Sequence, residues 1–298
     1  MANVLLAIEP LARQLKQRAR HMMITRAENI GVPWQETVEQ LRSPHLVDHW
    51  QADLAAVQQP DLVYPDYYLA GFHAYDEGNL GWLPAMEVEV AAQAVHAKIW
   101  PEAGAAGDAK LRQSYHDVLL ARLPQSPQAI LDLGCGVGMS TETLQQTFPQ
   151  ATVTGVDLSP YFLAVARYRT AATASLTWHH AAAEATGLPD ASFDLVSVCL
   201  VFHELPHTAA IAILQEARRL LRPGGHLAIM DMNPTCETFA KMPPFVFTLL
   251  KSTEPYLDEY LAFDFDAAMQ SVGFVSLQEV ISSPRHRTII AAVPAEAG

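Results

Sequence analysis

The chain is poor in cysteine, in charge and in basic residues. Only three cysteines, Cys135, Cys199 and Cys236, occur in 298 residues, and no two of them form a C-x-x-C pair. That spacing gives neither a zinc site nor a disulfide framework, so no metal is expected, and a reducing cytoplasm is the expected location. Charged residues make up 17% of the chain, and 19 Lys and Arg stand against 32 Asp and Glu, for a formal net charge of -13. A balance of that sign opposes phosphate backbones, so DNA and RNA are not expected partners. Long apolar runs are also missing. Val4-Leu5-Leu6-Ala7-Ile8 is cut short by Glu9, which denies it the core of an export signal, and nothing approaches the ~18 residues of a membrane span. Hydrophobic residues still reach 50%, which supports a sizeable core and excludes global disorder.

One further absence concerns a single glycine. In Ile130-Leu131-Asp132-Leu133-Gly134-Cys135-Gly136-Val137-Gly138 an apolar strand carrying one acid runs into three alternating glycines. Glycine tolerates positive φ and has no Cβ to hold a ligand away, so such a turn presents its amides to a bound cofactor. A dinucleotide fingerprint counted from Gly134 and Gly136 requires its third glycine where Met139 stands. Together with the lack of a Tyr-x-x-x-Lys pair near the fourth strand, this disfavours a nicotinamide-dependent reductase. Asp132, just ahead of the loop, suits a ligand with an ammonium group better than one with a diphosphate. Ala151 to Asp157 then reads as a β-branched strand ending in an acid, nineteen residues beyond Gly138. An acid at that tip can accept hydrogen bonds from both hydroxyls of a ribose, with Leu158 against an adenine face.

On these residues the chain resembles the class I S-adenosylmethionine-dependent methyltransferases, in particular the small-molecule branch typified by the quinone-biosynthesis C-methyltransferases, from about Leu111 to Val293. Ala183-Glu184 ahead of Leu188-Pro189-Asp190-Ala191-Ser192-Phe193-Asp194-Leu195-Val196 resembles the family's adenine-contacting loop and fourth strand. The family's usual acid two residues before Glu184 is replaced by Ala182, which leaves Glu184 or backbone for the adenine amino group. Arg218 to Asp231 reads as a helix end, a Pro-Gly-Gly turn and a fifth strand, while Gly273-Phe274 and Thr288 to Val293 fit the sixth and seventh. The resemblance implies an α/β fold, a doubly wound, mostly parallel seven-stranded sheet with an antiparallel last strand. It also implies S-adenosyl-L-methionine as cofactor, with S-adenosyl-L-homocysteine as product. The candidate cofactor-binding residues are Tyr115 (at the carboxylate end), Asp132, Gly134, Cys135, Gly136, Gly138, Asp157, Leu158, Ala183, Glu184 and Cys199.

Residues 1–108 read as a helical accessory region and residues 109–298 as the cofactor-binding domain. Leu11, Leu15, Met22 and Met23 recur at roughly helical spacing, Glu36 to Leu41 and His45 to Val57 add amphipathic turns, and Pro33, Pro44 and Pro60 punctuate them. A helix is expected over Glu87 to Trp100, with Val88, Ala91, Ala92, Val95 and Ile99 on one face, followed by a glycine-alanine linker from Ala103 to Asp108. The aromatic block Tyr64 to Trp82 resembles an N-terminal extension of cyanobacterial and plant-type methyltransferases. It fits either a lid that brings His73, Tyr75 and Asp76 to the methyl group or a segment docked by its aromatics. Residues 233–265 read as a substrate-covering insertion whose Phe239, Phe245, Val246, Phe247, Leu249, Leu250, Tyr256, Tyr260 and Phe263 form either a core helix or an apolar, ring-accommodating pocket. A small hydrophobic acceptor follows. Glu254, Asp258 and Glu259 read as a solvated face, or as a hint of a cationic amine. His203, just past the fourth strand, is the candidate general base, although a histidine there also serves to hydrogen-bond its loop. A cofactor-binding regulatory or scaffold protein without turnover is the alternative from another class.

Overall fold

The computed structural model describes residues 9–69, 75, 78–170, 173 and 175–295. Seven strands form one sheet in the order β3-β2-β1-β4-β5-β7-β6. They are β1 (Ala129–Leu133), β2 (Thr152–Asp157), β3 (Leu176–His180), β4 (Phe193–Cys199), β5 (Leu221–Met232), β6 (Val275–Ile281) and β7 (His286–Ala292). β1 pairs in parallel with β2 and β4, β2 with β3, and β4 with β5, whereas β7 runs antiparallel to both β5 and β6. Helices cover both faces, which is why β1 and β4 read as nearly unbroken apolar runs. This is the expected doubly wound architecture. One detail differs: Pro223-Gly224-Gly225 lies within β5 as an irregularity between the pairs Phe193↔Leu221 and Leu195↔His226, not as a separate turn ahead of the strand.

The strand order reverses between β1 and β4, which puts the ligand crevice at the carboxyl ends of β1, β2 and β4. Helix Met139–Thr147 follows β1, helix Pro160–Arg169 follows β2 with Ser159 Oγ accepting the Phe162 amide at its start, and helix His207–Leu220 follows β4. The described N-terminal residues form helices Glu9–Asn29, Trp34–Leu41, Val47–Val57 and Trp82–His96. They dock onto the sheet domain through aromatic contacts: Trp50 lies 5.6 Å from Trp82 and 4.8 Å from Tyr168, and Trp82 lies 5.0 Å from Tyr161. Arg167 on helix Pro160–Arg169 pairs with Asp53. Among the described residues no helix is long and apolar enough to cross a membrane.

Two boundaries depart from expectation. The helix expected over Glu87 to Trp100 spans Trp82–His96, because the chain turns at His96 to meet the next helix. The expected linker Ala103 to Asp108 is a 3-10 turn, Gly104–Ala106, running straight into helix Gly107–Arg122. A Cβ at Gly107 would stand 2.5 Å from the carbonyl oxygen of His96, so only glycine lets the two helices approach so closely. Asp108 is buried behind it, 2.6 Å from His96 Nδ1 and 3.0 Å from Arg112 Nε. Burial would raise this carboxyl's pKa, but Arg112 and His96 outweigh it and hold Asp108 below the ordinary carboxylate range.

Candidate active site

The turn after β1 takes its shape from its glycines. Gly134, Gly136 and Gly138 all have positive φ, at 69°, 54° and 82°, and the amides of Gly134 and Cys135 both donate to Val156 O of β2, at 2.8 and 3.0 Å. Gly136 is the open point: the nearest atom to a Cβ built there is Phe162 Cδ2 at 3.8 Å, and its own surface faces a cavity. Gly138 is closed instead, since a Cβ would meet the Trp178 ring at 2.6 Å. It starts helix Met139–Thr147 and does not line the cavity.

That cavity has a volume of about 590 Å³. Gly134, Cys135, Gly136, Asp157, Leu158, Ala183, Cys199 and His203 all line it, so the structure brings together eight of the residues singled out from the sequence. Asp157 Oδ2 accepts the Gly136 amide at 2.8 Å and Oδ1 accepts the Ser159 amide at 2.7 Å. Burial pushes its carboxyl up to about 6, against the pull of those two backbone bonds. Asp132 sits behind the loop, off the cavity wall, fully buried. Its Oδ2 accepts from Ser140 Oγ at 2.6 Å and Thr141 Oγ1 at 2.7 Å, while Oδ1 has no partner. Burial again dominates and pushes this carboxyl up to about 6. Cys199 is pushed up to about 12, first by burial, so it is a thiol lining the wall and not a nucleophile.

Two candidates are corrected. Tyr115 is fully buried, with its hydroxyl 2.9 Å from Ser197 Oγ and 3.2 Å from Ala228 O; it packs helix Gly107–Arg122 against the sheet and does not reach the cavity. One turn earlier on that helix, Arg112 lines the cavity instead, 3.8 Å from both Cys199 Sγ and Met139 Sδ. Its signal in the sequence is the i, i+4 pair Asp108/Arg112. Glu184 also lies off the cavity wall and accepts from the Tyr67 hydroxyl at 2.9 and 3.1 Å. In this structure its carboxylate anchors the aromatic block through Tyr67.

His203 stands where β4 ends. Its amide donates to Asp231 Oδ2 at 3.2 Å, its Nδ1 lies 2.8 Å from Asp231 Oδ1, and Nε2 lies 4.0 Å from Glu204 Oε1. Burial pulls the imidazole down, but the charge and hydrogen bond of Asp231, with Glu254 and Glu204 behind them, hold its pKa up at about 9. Asp231 is the last but one residue of β5, an acid closing an apolar strand at the ligand edge, and that position was its sequence signal. Glu254, read from the sequence as solvated, is buried and lines the cavity. Among the described residues, His203, Glu204 and Glu254 are the group whose ligand atoms, within 4.8 Å of one another, could hold a metal ion.

Much of the rest of the wall is apolar. Val88, Ala91, Ala92, Val95 and Ile99, the face read from the sequence, all line it. From the insertion, Phe239, Val246 and Leu250 face the cavity, Tyr260 and Phe263 pack into the core, and Phe245 is 74% exposed. The aromatic block divides likewise. Tyr64 lies 3.3 Å from His180 Nε2, whereas Tyr67, Tyr68 and Tyr75 line the cavity. His73 and Asp76 of the lid reading lie outside the described residues, as do the side chains of Leu11, Leu15 and Leu249.

Residues 130–225 match the model of a family described as a methyltransferase domain. Over those residues the chain carries a methyltransferase domain. Among curated relatives it is 41% identical to a trans-aconitate 2-methyltransferase of Methylobacterium nodulans over 37% of this chain and 41% of that one. It is 29% identical to an uncharacterized methyltransferase of Synechocystis over 56% and 76%, and 31% identical to a demethylmenaquinone methyltransferase of Tropheryma whipplei over 46% and 54%. The chain thus spans less than half the length of the first of these relatives. The fold is shared with the CurJ carbon methyltransferase, at TM-score 0.53 and 15% identity over 88% of this chain and 71% of that one. The carbon methyltransferase domain of the citrinin polyketide synthase gives 0.53 and 20% over 69% and 57%.

The methyltransferase domain's residues fit its cofactor on two observations. The open face of Gly136 is room that a side chain would fill, and the orphaned, buried Asp132 Oδ1 is an acceptor placed just behind the same loop. Asp157 on the wall offers a carboxylate to the cavity, and Leu158 and Ala183 supply apolar surface on the same wall.

Proposed function

We propose that the protein transfers a methyl group from S-adenosylmethionine to a small apolar or aromatic metabolite. The carrying observation is that the glycine turn with Asp157 and the His203–Asp231 pair open onto one and the same cavity. The bound cofactor supplies an electrophilic methyl carbon on a sulfonium. The remaining work is orientation, which reaches effective molarities of about 10⁵ to 10⁸ M in model systems. Gly134, Cys135, Gly136, Asp157, Leu158, Ala183 and Cys199 hold the cofactor, with Asp132 and Gly138 shaping the loop from behind, and the apolar wall holds the acceptor. For an acceptor that must lose a proton, the neutral ring of His203, formed as pH rises towards about 9, takes it at Nε2 while Asp231 fixes the ring through Nδ1.

In this reading residues 1–108 cap the domain formed by residues 109–298, and residues 233–265 cover the acceptor. The protein works in the cytoplasm without nucleic acid as partner. The relatives' names span an aconitate and a quinone precursor, and both classes belong in the test. Calorimetry with S-adenosylhomocysteine against NAD, followed by transfer to a panel of phenols, quinols, amines and carboxylic acids, checks the reading. Tighter binding of NAD would overturn the cofactor assignment. Tight binding of the homocysteine product without methylation of any acceptor would favour a scaffold.

A further inference from the structure

Five cations line the cavity: Arg20, Arg26, Lys98, Arg112 and Arg285. Two of them are neutralised. Arg20 pairs with Glu87, Nε to Oε2 at 2.9 Å, and Arg112 pairs with Asp108. For Arg26, Lys98 and Arg285 no carboxylate lies in ion-pair range among the described residues. They come from helix Glu9–Asn29, from the turn after helix Trp82–His96 and from the turn before β7, so the fold gathers three like charges from remote parts of a chain whose net charge is -13.

The gathering has a cost. Arg26 is lowered first by burial and then by Arg285; Lys98 is lowered first by Arg26, then by burial and by Arg285; Arg285 is lowered chiefly by burial. Capping of a helix end explains part of the arrangement. Arg26 Nη1 reaches Ala94 O at 3.4 Å and Arg285 Nη2 reaches Lys98 O at 2.7 Å. That use engages one nitrogen of each guanidinium and none of the Lys98 ammonium, and it leaves the excess charge unanswered.

We propose that Arg26, Lys98 and Arg285 form an anion subsite, and that the methyl acceptor is an apolar molecule bearing a carboxylate or phosphate. This rests on the methyl-transfer reading of the same cavity. The subsite lies on the His203 side: Arg285 adjoins His286, whose ring is 5.9 Å from that of His96 and whose titration is influenced by His203. Ala91, Ala92 and Val95 of helix Trp82–His96 and Met242 and Val246 of the insertion line the same cavity and offer surface for the apolar body.

The test uses the full chain loaded with S-adenosylhomocysteine and three probes of equal apolar body: 4-phenylbutanoate, 4-phenylbutyl phosphate and 4-phenylbutanol, each titrated calorimetrically. At least one anion is expected to bind about tenfold more tightly than the alcohol, the scale of a charge-assisted bond, and the better anion identifies the head group. Lys98→Glu, at an exposed position whose side chain makes no hydrogen bond, should reduce that preference about fivefold or more. Arg26→Gln with Arg285→Gln should abolish it, with binding of S-adenosylhomocysteine unchanged in both. Equal binding of alcohol and anions, no binding of any probe, or a preference that survives the double variant overturns the subsite while leaving methyl transfer standing. Failure of the loaded complex to form overturns the underlying reading instead.

Discussion

Replacing Asp231 by Asn removes a charge while keeping an oxygen for His203 Nδ1. The ordinary imidazole pKa is 6.5 and His203 is held at about 9. At about 1.36 kcal/mol per tenfold, the imidazolium is favoured by roughly 3 kcal/mol. Because the folded pKa lies above the unfolded one, this stabilisation is fully present below pH 6.5 and is lost as pH rises through about 9. In D231N burial still pulls the ring down, with only Glu254 and Glu204 left to oppose it, so His203 should titrate at or below 6.5. Two measurements check this. NMR titration of histidine-labelled protein follows the ring directly, and urea unfolding from pH 6 to pH 10 should show the wild-type advantage over D231N shrinking by roughly 3 kcal/mol. With an acceptor that loses a proton, the wild-type rate should climb to a plateau above about pH 9, and the D231N limb should move to lower pH with a lower plateau. A wild-type His203 that titrates near 6.5, or a value unmoved by D231N, would refute the pairing as its cause.

Asp157→Ala should weaken S-adenosylhomocysteine binding by about 10- to 100-fold, since charge-assisted bonds are worth roughly 1.5 to 3 kcal/mol each; unchanged affinity in calorimetry of a folded variant would remove Asp157 from the site. Gly138→Ala forces a side chain to φ 82° and into the Trp178 ring, a loss of roughly 2 to 4 kcal/mol, and a wild-type urea midpoint would contradict it. Cys135 and Cys199, buried and with thiols pushed well up, should escape iodoacetamide at pH 8 until the protein unfolds, as read by mass spectrometry. Chelation with EDTA should leave methyl transfer unchanged; a loss restored by Mg²⁺ or Zn²⁺ would instead place a cation at His203, Glu204 and Glu254.

What the sequence made legible follows from how local each signal is. The glycine turn, Asp157 and the parallel strands are written in short contiguous stretches whose residue types admit few other backbones, and they stand where expected. β6 was marked only by Gly273-Phe274 ahead of it, because an edge strand with most residues exposed carries no clear alternation. Tyr115 and Arg112 share a helix, and nothing in their spacing says which one the sheet takes and which one the cavity takes. Glu184 looked like a ligand group because its partner, Tyr67, lies 117 residues earlier. Asp231 and Glu254 became partners of His203 where the end of β5, the end of helix Pro244–Thr253 and the turn after β4 converge. The acid closing β5 was visible locally, but its meeting with His203 and Glu254 is a tertiary fact that no local pattern announces.

The carboxylate of Asp108 has a consequence for how this protein could be cut or recombined. It answers Arg112, which reaches the sulfurs of Cys199 and Met139 beside the cofactor turn, and it is shared with His96 from the preceding helix. A fragment beginning at residue 109 would therefore leave a guanidinium desolvated and unanswered next to the cofactor, a state proteins tolerate only at several kcal/mol. The cofactor sheet is not an interchangeable cassette behind its leader: a chimera with a foreign cap would work only if the new cap brought an acid to the same place.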